Sequence, residues 1–71
     1  MSAIHDRIAG VLRDSDGLDL GEIIERCGGD LGERVSPKWW EDRIHEMAAH
    51  GYTVAEDRGV YILVAEREAA A

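Results

Sequence analysis

Histidine and cysteine are the residue types in this sequence that most often bind metals or act in catalysis. The chain has three histidines, His5, His45 and His50, and a single cysteine, Cys27. Zinc sites need three or four converging ligands, usually from tight paired spacings, but His45 and His50 are spaced so that they point apart on a helix. The spacing therefore predicts no metal site, and Cys27, on an apolar stripe, is expected to be a small core residue.

The other polar residues form no pattern typical of an enzyme. No nucleophile motif occurs, and the glycine-rich run from Gly28 to Gly32 lacks the Lys-Ser/Thr ending of a phosphate-binding loop. A chain of 71 residues also has little room for both a core and an enclosed cavity. We therefore expect a domain that is not an enzyme and that uses no cofactor, no metal and no small-molecule substrate.

The composition is that of a small folded domain with a large excess of acid. Eight Lys and Arg residues face fifteen Asp and Glu residues, which gives a formal net charge of −7. Because DNA affinity comes largely from Lys and Arg, this charge weighs against DNA unless one face is locally basic. The single cysteine and the lack of a basic start followed by an apolar stretch predict a cytoplasmic protein. The longest apolar run is Val60–Ala65, which is too short to span a membrane, so we also expect a protein that does not enter a membrane.

Three helices are predicted from the spacing of apolar residues. Apolar positions recur at helical spacing from Ile4 to Leu12 and again from Leu20 to Cys27. Ser36-Pro37 is a strong start for a third helix, which is expected to continue to a C-terminal glycine at position 51. Between the first two helices, Leu18-Asp19-Leu20 predicts either a small edge strand or a helix cap at Asp19.

A β-hairpin is predicted after the third helix, because the apolar period changes from 3.6 to 2 at Tyr52. Glu56-Asp57-Arg58-Gly59 is expected to be its turn, and Val60–Val64 its second strand. Residues 1–65 then form one domain, and residues 66–71 a frayed or disordered tail. The expected core consists of Ile8, Val11, Ile23, Trp40, Ile44 and Leu63.

The segment from Ser36 to Leu63 resembles the third helix and wing of winged helix-turn-helix domains, closest to the type at the N-terminus of biotin repressors and related bacterial regulators. The points of likeness are Ser36, Ile44, Met47, Gly51-Tyr52, Arg58-Gly59 and Tyr61-x-Leu63. The resemblance implies an α+β fold, a winged helix-turn-helix of three helices with a C-terminal β-hairpin wing. The connection from Gly28 to Val35 is longer than the family's turn of about 3–4 residues, so the third helix is expected to be angled or displaced.

The resemblance also implies a small DNA-binding protein, a bacterial or phage transcriptional regulator, whose third helix meets base edges. It assigns Lys38, Trp39 and Asp42 to that role, and Arg34 and Arg58 to the DNA backbone. Two further residues, Arg43 and His45, lie on or beside the same outward arc. Acidic neighbours oppose these cations, so a solvated face of mixed charge is the alternative interpretation.

The second hypothesis is an acidic winged-helix module that binds protein and not DNA, as a homodimer, a subunit or an inhibitor that imitates nucleic acid. Trp39 is then a partly exposed anchor, although it could instead cover an edge of the core. The apolar residues Val60, Ile62 and Val64 share one face of the last strand and are expected either to form a dimer or partner surface or to be covered by the first helix or the tail.

Overall fold

The described part of the chain forms three α-helices and a three-stranded antiparallel sheet, which confirms the predicted α+β class. The computed structural model describes residues 4–28 and 35–67. The elements are α1 (Ile4–Arg13), β1 (Leu18–Asp19), α2 (Leu20–Gly28), α3 (Pro37–His45), a 3₁₀ helix (Glu46–His50), β2 (Tyr52–Asp57) and β3 (Val60–Glu66). Arg34 and most of the predicted tail lie outside the described residues, whereas Glu66 still belongs to β3.

Asp19 has both of the roles that the sequence left open. Its backbone pairs with Val60 in a short β1–β3 ladder, next to the pair Leu18–Tyr61. Its side chain also accepts a 2.8 Å hydrogen bond from the Glu22 backbone N–H, and the Glu22 carboxylate accepts one of 3.1 Å from the Asp19 N–H. This reciprocal capping box fixes the start of α2 immediately after the strand.

The third helix begins where the sequence predicts but ends earlier. Ser36 is extended and Pro37 is the first helical residue, although the Ser36 hydroxyl makes no capping hydrogen bond. The prediction of one helix up to Gly51 is wrong in detail, because the α-helix ends at His45 and a 3₁₀ helix follows. Such tightening is common at helix C-termini. Gly51 then takes the left-handed conformation, with φ 91°, that turns the chain into β2.

The hairpin turn is tighter than the sequence predicts. Its two residues are Arg58 and Gly59, and both have positive φ, 55° and 82°, as two-residue hairpin turns of the primed types require. In the sheet order β1–β3–β2, β3 is central. The pairing is irregular near Thr53–Val54, where Val64 is left without a partner on β2 as a β-bulge.

The core lies between the helices and the inner face of the sheet. Of the six residues expected there, Ile8, Ile23, Trp40 and Ile44 are buried, whereas Val11 and Leu63 are only partly buried at its margin. Cys27 is buried as well, which confirms that it is a core residue. The other buried apolar residues are Ala9, Leu12, Leu18, Met47 and Tyr61.

Ion pairs at two exposed carboxylates tie distant elements together. Arg13 on α1 donates two hydrogen bonds, of 2.8 and 2.6 Å, to Glu66 at the end of β3. His5 on α1 donates one of 2.9 Å to Glu46, which also accepts one of 2.8 Å from Arg43. The hydrogen bond from Arg13 lowers the pKa of Glu66, and those from His5 and Arg43 lower the pKa of Glu46.

We expect the free energy of unfolding to fall as the pH is lowered from about 7 to about 3. A carboxylate whose folded pKa is depressed adds stability above its unfolded pKa, and this contribution is lost as the pH falls through the folded pKa. The loss per pair should be small, because both carboxylates are exposed and screened. Urea unfolding at several pH values measures it. Glu66→Gln should reduce the acid-dependent loss, and a variant as acid-sensitive as the wild type would contradict the assignment.

Candidate interaction surfaces

The three histidines and the cysteine lie apart from any metal cluster in the part of the chain that the structure describes. Among residues 4–28 and 35–67, no group of His, Cys, Asp or Glu side chains could hold a metal ion. The rings of His5 and His50 stack with centroids 3.9 Å apart, a contact that the sequence analysis missed. Cys27 is buried, and desolvation raises the pKa of its thiol. Within the same described ranges, no helix is long and apolar enough to cross a membrane.

The outward face of α3 holds two of the predicted contact residues in an ion pair. Lys38 Nζ lies 2.9 Å from Asp42 Oδ1, one helical turn away. The hydrogen bond from Lys38 lowers the pKa of Asp42, and the same contact raises the pKa of Lys38. The Lys38 and Asp42 side chains are 70% and 43% exposed, so this pair is a surface feature and contributes little to stability. The pair does change the charge of the α3 surface, because Asp42 neutralises the positive charge of Lys38.

Arg43 and Trp39 form one unit on the flank of α3. The Arg43 guanidinium carbon lies 4.9 Å from the centroid of the Trp39 ring, and the same guanidinium donates to Glu46. Trp39 also meets the fully buried Trp40 edge to face, with centroids 5.2 Å apart. Trp39 itself is only partly buried and packs against the margin of the core. The ring therefore covers an edge of the core and still has an exposed part, and its role as an anchor for a partner stays a prediction.

The remaining predicted contacts lie on other parts of the surface. Arg58 is exposed at the hairpin turn, next to the acidic residues Glu56 and Asp57. Arg34 lies outside the described residues. His45 is exposed at the end of α3 and lines a cleft between this helix and the hairpin.

This cleft, which we call the α3–hairpin cleft, has a volume of about 320 Å³. It is lined by Ile44, His45, Ala48, Val54, Glu56 and Tyr61. Burial, followed by the negative charges of Glu56 and Glu41, raises the pKa of the Tyr61 hydroxyl. The cleft therefore combines apolar walls with the carboxylate of Glu56. No sequence spacing could have predicted it, because its two walls come from separate elements.

The outer face of the sheet carries the apolar residues predicted as a dimer or partner surface. Ile62 and Val64 are 38% and 60% exposed, whereas Val60 is partly buried. The chain at Gly17 lies against this face, since a Cβ built there would be 2.8 Å from Val60 Cγ1 and 3.3 Å from Ile62 Cγ1. Gly17, which has φ 141°, therefore covers part of the face and leaves Val64 open.

We expect this outer face to mediate pairing of two copies, because exposed apolar β surfaces favour association. Sedimentation equilibrium at micromolar concentrations should show a dimer for the wild type. Val64→Lys, which places a charge on the most exposed position, should shift the protein to a monomer. Ala49→Lys is the matched control, because it adds the same charge at an exposed position of the 3₁₀ helix and not on the outer face of the sheet. A wild type that is monomeric throughout this range would contradict the prediction.

Comparison of the chain with protein-family models, with curated proteins and with solved structures finds no match. The likeness to winged helix-turn-helix domains therefore stays a prediction, and function has to be argued from the surfaces described above.

Proposed function

We propose that this chain is a winged-helix domain that binds another protein through α3 and the hairpin. The order helix, strand, helix, helix, hairpin is compatible with that fold, and β1 joins the hairpin by pairing with β3. In winged-helix domains, α3 and the hairpin correspond to the recognition helix and the wing. Fold alone does not define the partner, so the choice between DNA and protein depends on the side chains.

The observation that carries the proposal is the pairing of the cations on α3 with carboxylates of the same segment. Lys38 is bound to Asp42, and Arg43 to Glu46. A DNA phosphate would have to replace these carboxylates. It would also approach Glu56 and Asp57 beside the turn, and binding driven by phosphate contacts depends on free Lys and Arg. The net charge of −7 also disfavours DNA binding, because it repels phosphate.

Trp39 supplies the positive argument for a protein partner. Tryptophan is enriched among the residues that dominate the energy of protein interfaces. Its packing on Trp40 and beneath Arg43 holds the ring in one orientation before any partner binds. Such pre-organisation reduces the entropy that is lost on binding.

DNA binding is the second candidate, and one observation favours it. Arg58 is exposed at the hairpin turn, and no other described residue forms an ion pair with it. In a winged helix this is the position from which the wing contacts the DNA backbone. Arg34 is assigned to the same role by the sequence resemblance. Lys38 then has to exchange Asp42 for a phosphate.

Photo-crosslinking inside cells of the source organism separates the two candidates. Benzoylphenylalanine in place of Trp39 keeps an aromatic side chain at the expected contact, and the same residue in place of Glu25, exposed on α2, is the control. We expect an adduct at position 39 that is sensitive to protease and resistant to nuclease, and no adduct at position 25. A nuclease-sensitive adduct at position 39 would contradict the proposal and support DNA.

A further inference from the structure

The α3–hairpin cleft has the shape and chemistry to receive one long side chain. Its volume of about 320 Å³ is at the small end of the range for pockets that enclose drug-sized ligands, roughly 300–1,000 Å³. Ile44, Ala48 and Val54 provide an apolar wall. A side chain with an apolar stem would bury that stem here and keep its polar end at the rim.

The charge of the cleft indicates which polar group the bound side chain should carry at its end. Glu56 lines it, and the charge of Glu41 reaches the Tyr61 hydroxyl together with that of Glu56. Neither carboxylate forms an ion pair with any other residue that the structure describes. They differ in this respect from Asp42, Glu46 and Glu66, which all have basic partners.

We propose that the α3–hairpin cleft binds an arginine side chain from a basic segment of the protein partner. This inference rests on the proposed protein-binding function and adds the chemical class of the partner. The guanidinium is a planar fork that matches a carboxylate in two parallel hydrogen bonds and stacks on aromatic rings. Glu56 provides the carboxylate, and Tyr61 provides an aromatic wall. A lysine would bring the charge but neither the fork nor the stacking plane.

The same features exclude other occupants. A phosphate or a nucleic acid would be repelled by Glu41 and Glu56. A purely apolar side chain would remove water from both carboxylates and offer them no hydrogen bond or opposite charge in return. The net charge of −7 further favours a basic segment, because opposite charges accelerate encounter.

A peptide titration tests the proposal even while the natural partner is unidentified. The probe is a fluorescein-labelled hexa-arginine peptide, and binding to the whole chain is followed by fluorescence anisotropy at low salt. A hexa-citrulline peptide, which has nearly the same shape but no charge, is the reference ligand. We expect binding of the arginine peptide and no measurable binding of the citrulline peptide.

Two matched pairs of variants locate the site. Glu56→Gln and the control Glu25→Gln remove the same charge, but only the first changes the cleft. Ala48→Leu fills the cleft, and Ala49→Leu adds the same side chain at an exposed neighbour that does not line it. We expect Glu56→Gln and Ala48→Leu to weaken binding about tenfold, or about 1.4 kcal/mol, and the two controls to have little effect. Circular dichroism checks that each variant is folded.

If Glu56→Gln and Glu25→Gln lower the affinity for the arginine peptide equally, or if Ala48→Leu does not lower it, the peptide is attracted by the overall charge. Either result would overturn the proposal. Absence of arginine-peptide binding would do the same. The crosslink at position 39 separates this failure from that of the proposed function. If Ala48→Leu leaves the protein adduct at position 39 unchanged, the domain still binds protein through the Trp39 side of α3, and only the arginine site is wrong.

Discussion

Replacing Trp40 with alanine should unfold the domain. The Trp40 side chain is fully buried and meets Trp39 edge to face, and its ring lies so close to Gly28 that a Cβ there would be 3.4 Å from Cζ2. Truncation of a buried tryptophan to alanine costs about 3–5 kcal/mol, because both burial and packing are lost. A domain of 71 residues has only a small net stability. We expect Trp40→Ala to lose its unfolding transition in urea, as followed by far-ultraviolet circular dichroism.

The adjacent tryptophan is the control for this experiment. Trp39→Ala removes the same side chain from the margin of the core, so its unfolding midpoint should fall much less. Ile44→Ala, which truncates a residue that is 4% exposed, should be intermediate, with a loss of about 2–5 kcal/mol. A Trp40→Ala protein that unfolds at the wild-type urea concentration would contradict the position assigned to Trp40.

The second prediction concerns affinity for the partner found by crosslinking. Trp39→Ala should weaken that complex by about 2 kcal/mol or more, as truncation of a central aromatic anchor does. Lys38→Ala should change the affinity little, because Lys38 is already paired with Asp42 and rim charges mainly affect the association rate. Isothermal titration calorimetry with purified partner measures both.

DNA binding would reverse this order. Lys38→Ala would then remove a phosphate contact and lower the slope of the salt dependence by about one unit. Trp39→Ala would have the smaller effect. The loss of affinity that each of these two variants shows for the protein partner and for duplex DNA therefore distinguishes the two functions. A partner complex that depends on Lys38 more than on Trp39 would contradict the interface described here.

Local patterns predicted the α-helices and the hairpin of this fold but not the 3₁₀ helix. The stripe from Ile4 to Leu12 predicts a helix through its spacing, and Ser36-Pro37 predicts a helix start through proline at the first helical position. Both signals involve only near neighbours in the chain. The two tryptophans could also be separated from sequence, because adjacent residues on a helix are about 100° apart. Trp40 is indeed buried, and Trp39 lies at the border.

Features that depend on distant residues could not be predicted in this way. Glu46 is bound by His5, which is forty-one residues away in the sequence, and His5 stacks on His50. The α3–hairpin cleft joins Ile44 to Tyr61 across two elements. Pairing of Lys38 with Asp42 is compatible with a spacing of four residues, but the spacing alone does not show whether the lysine prefers its neighbour to a phosphate.

The measurement that tests the central claim most directly is a gel shift against random-sequence duplex at low salt. Even non-specific DNA-binding proteins reach dissociation constants of about 10⁻⁴–10⁻⁶ M at physiological salt, and they bind more tightly below it. Because the cations of α3 are paired with carboxylates, we predict no shift with the chain at roughly tens of micromolar. A shift that is lost in Arg58→Asn, which retains a residue suited to positive φ, would contradict the account and assign the domain to DNA.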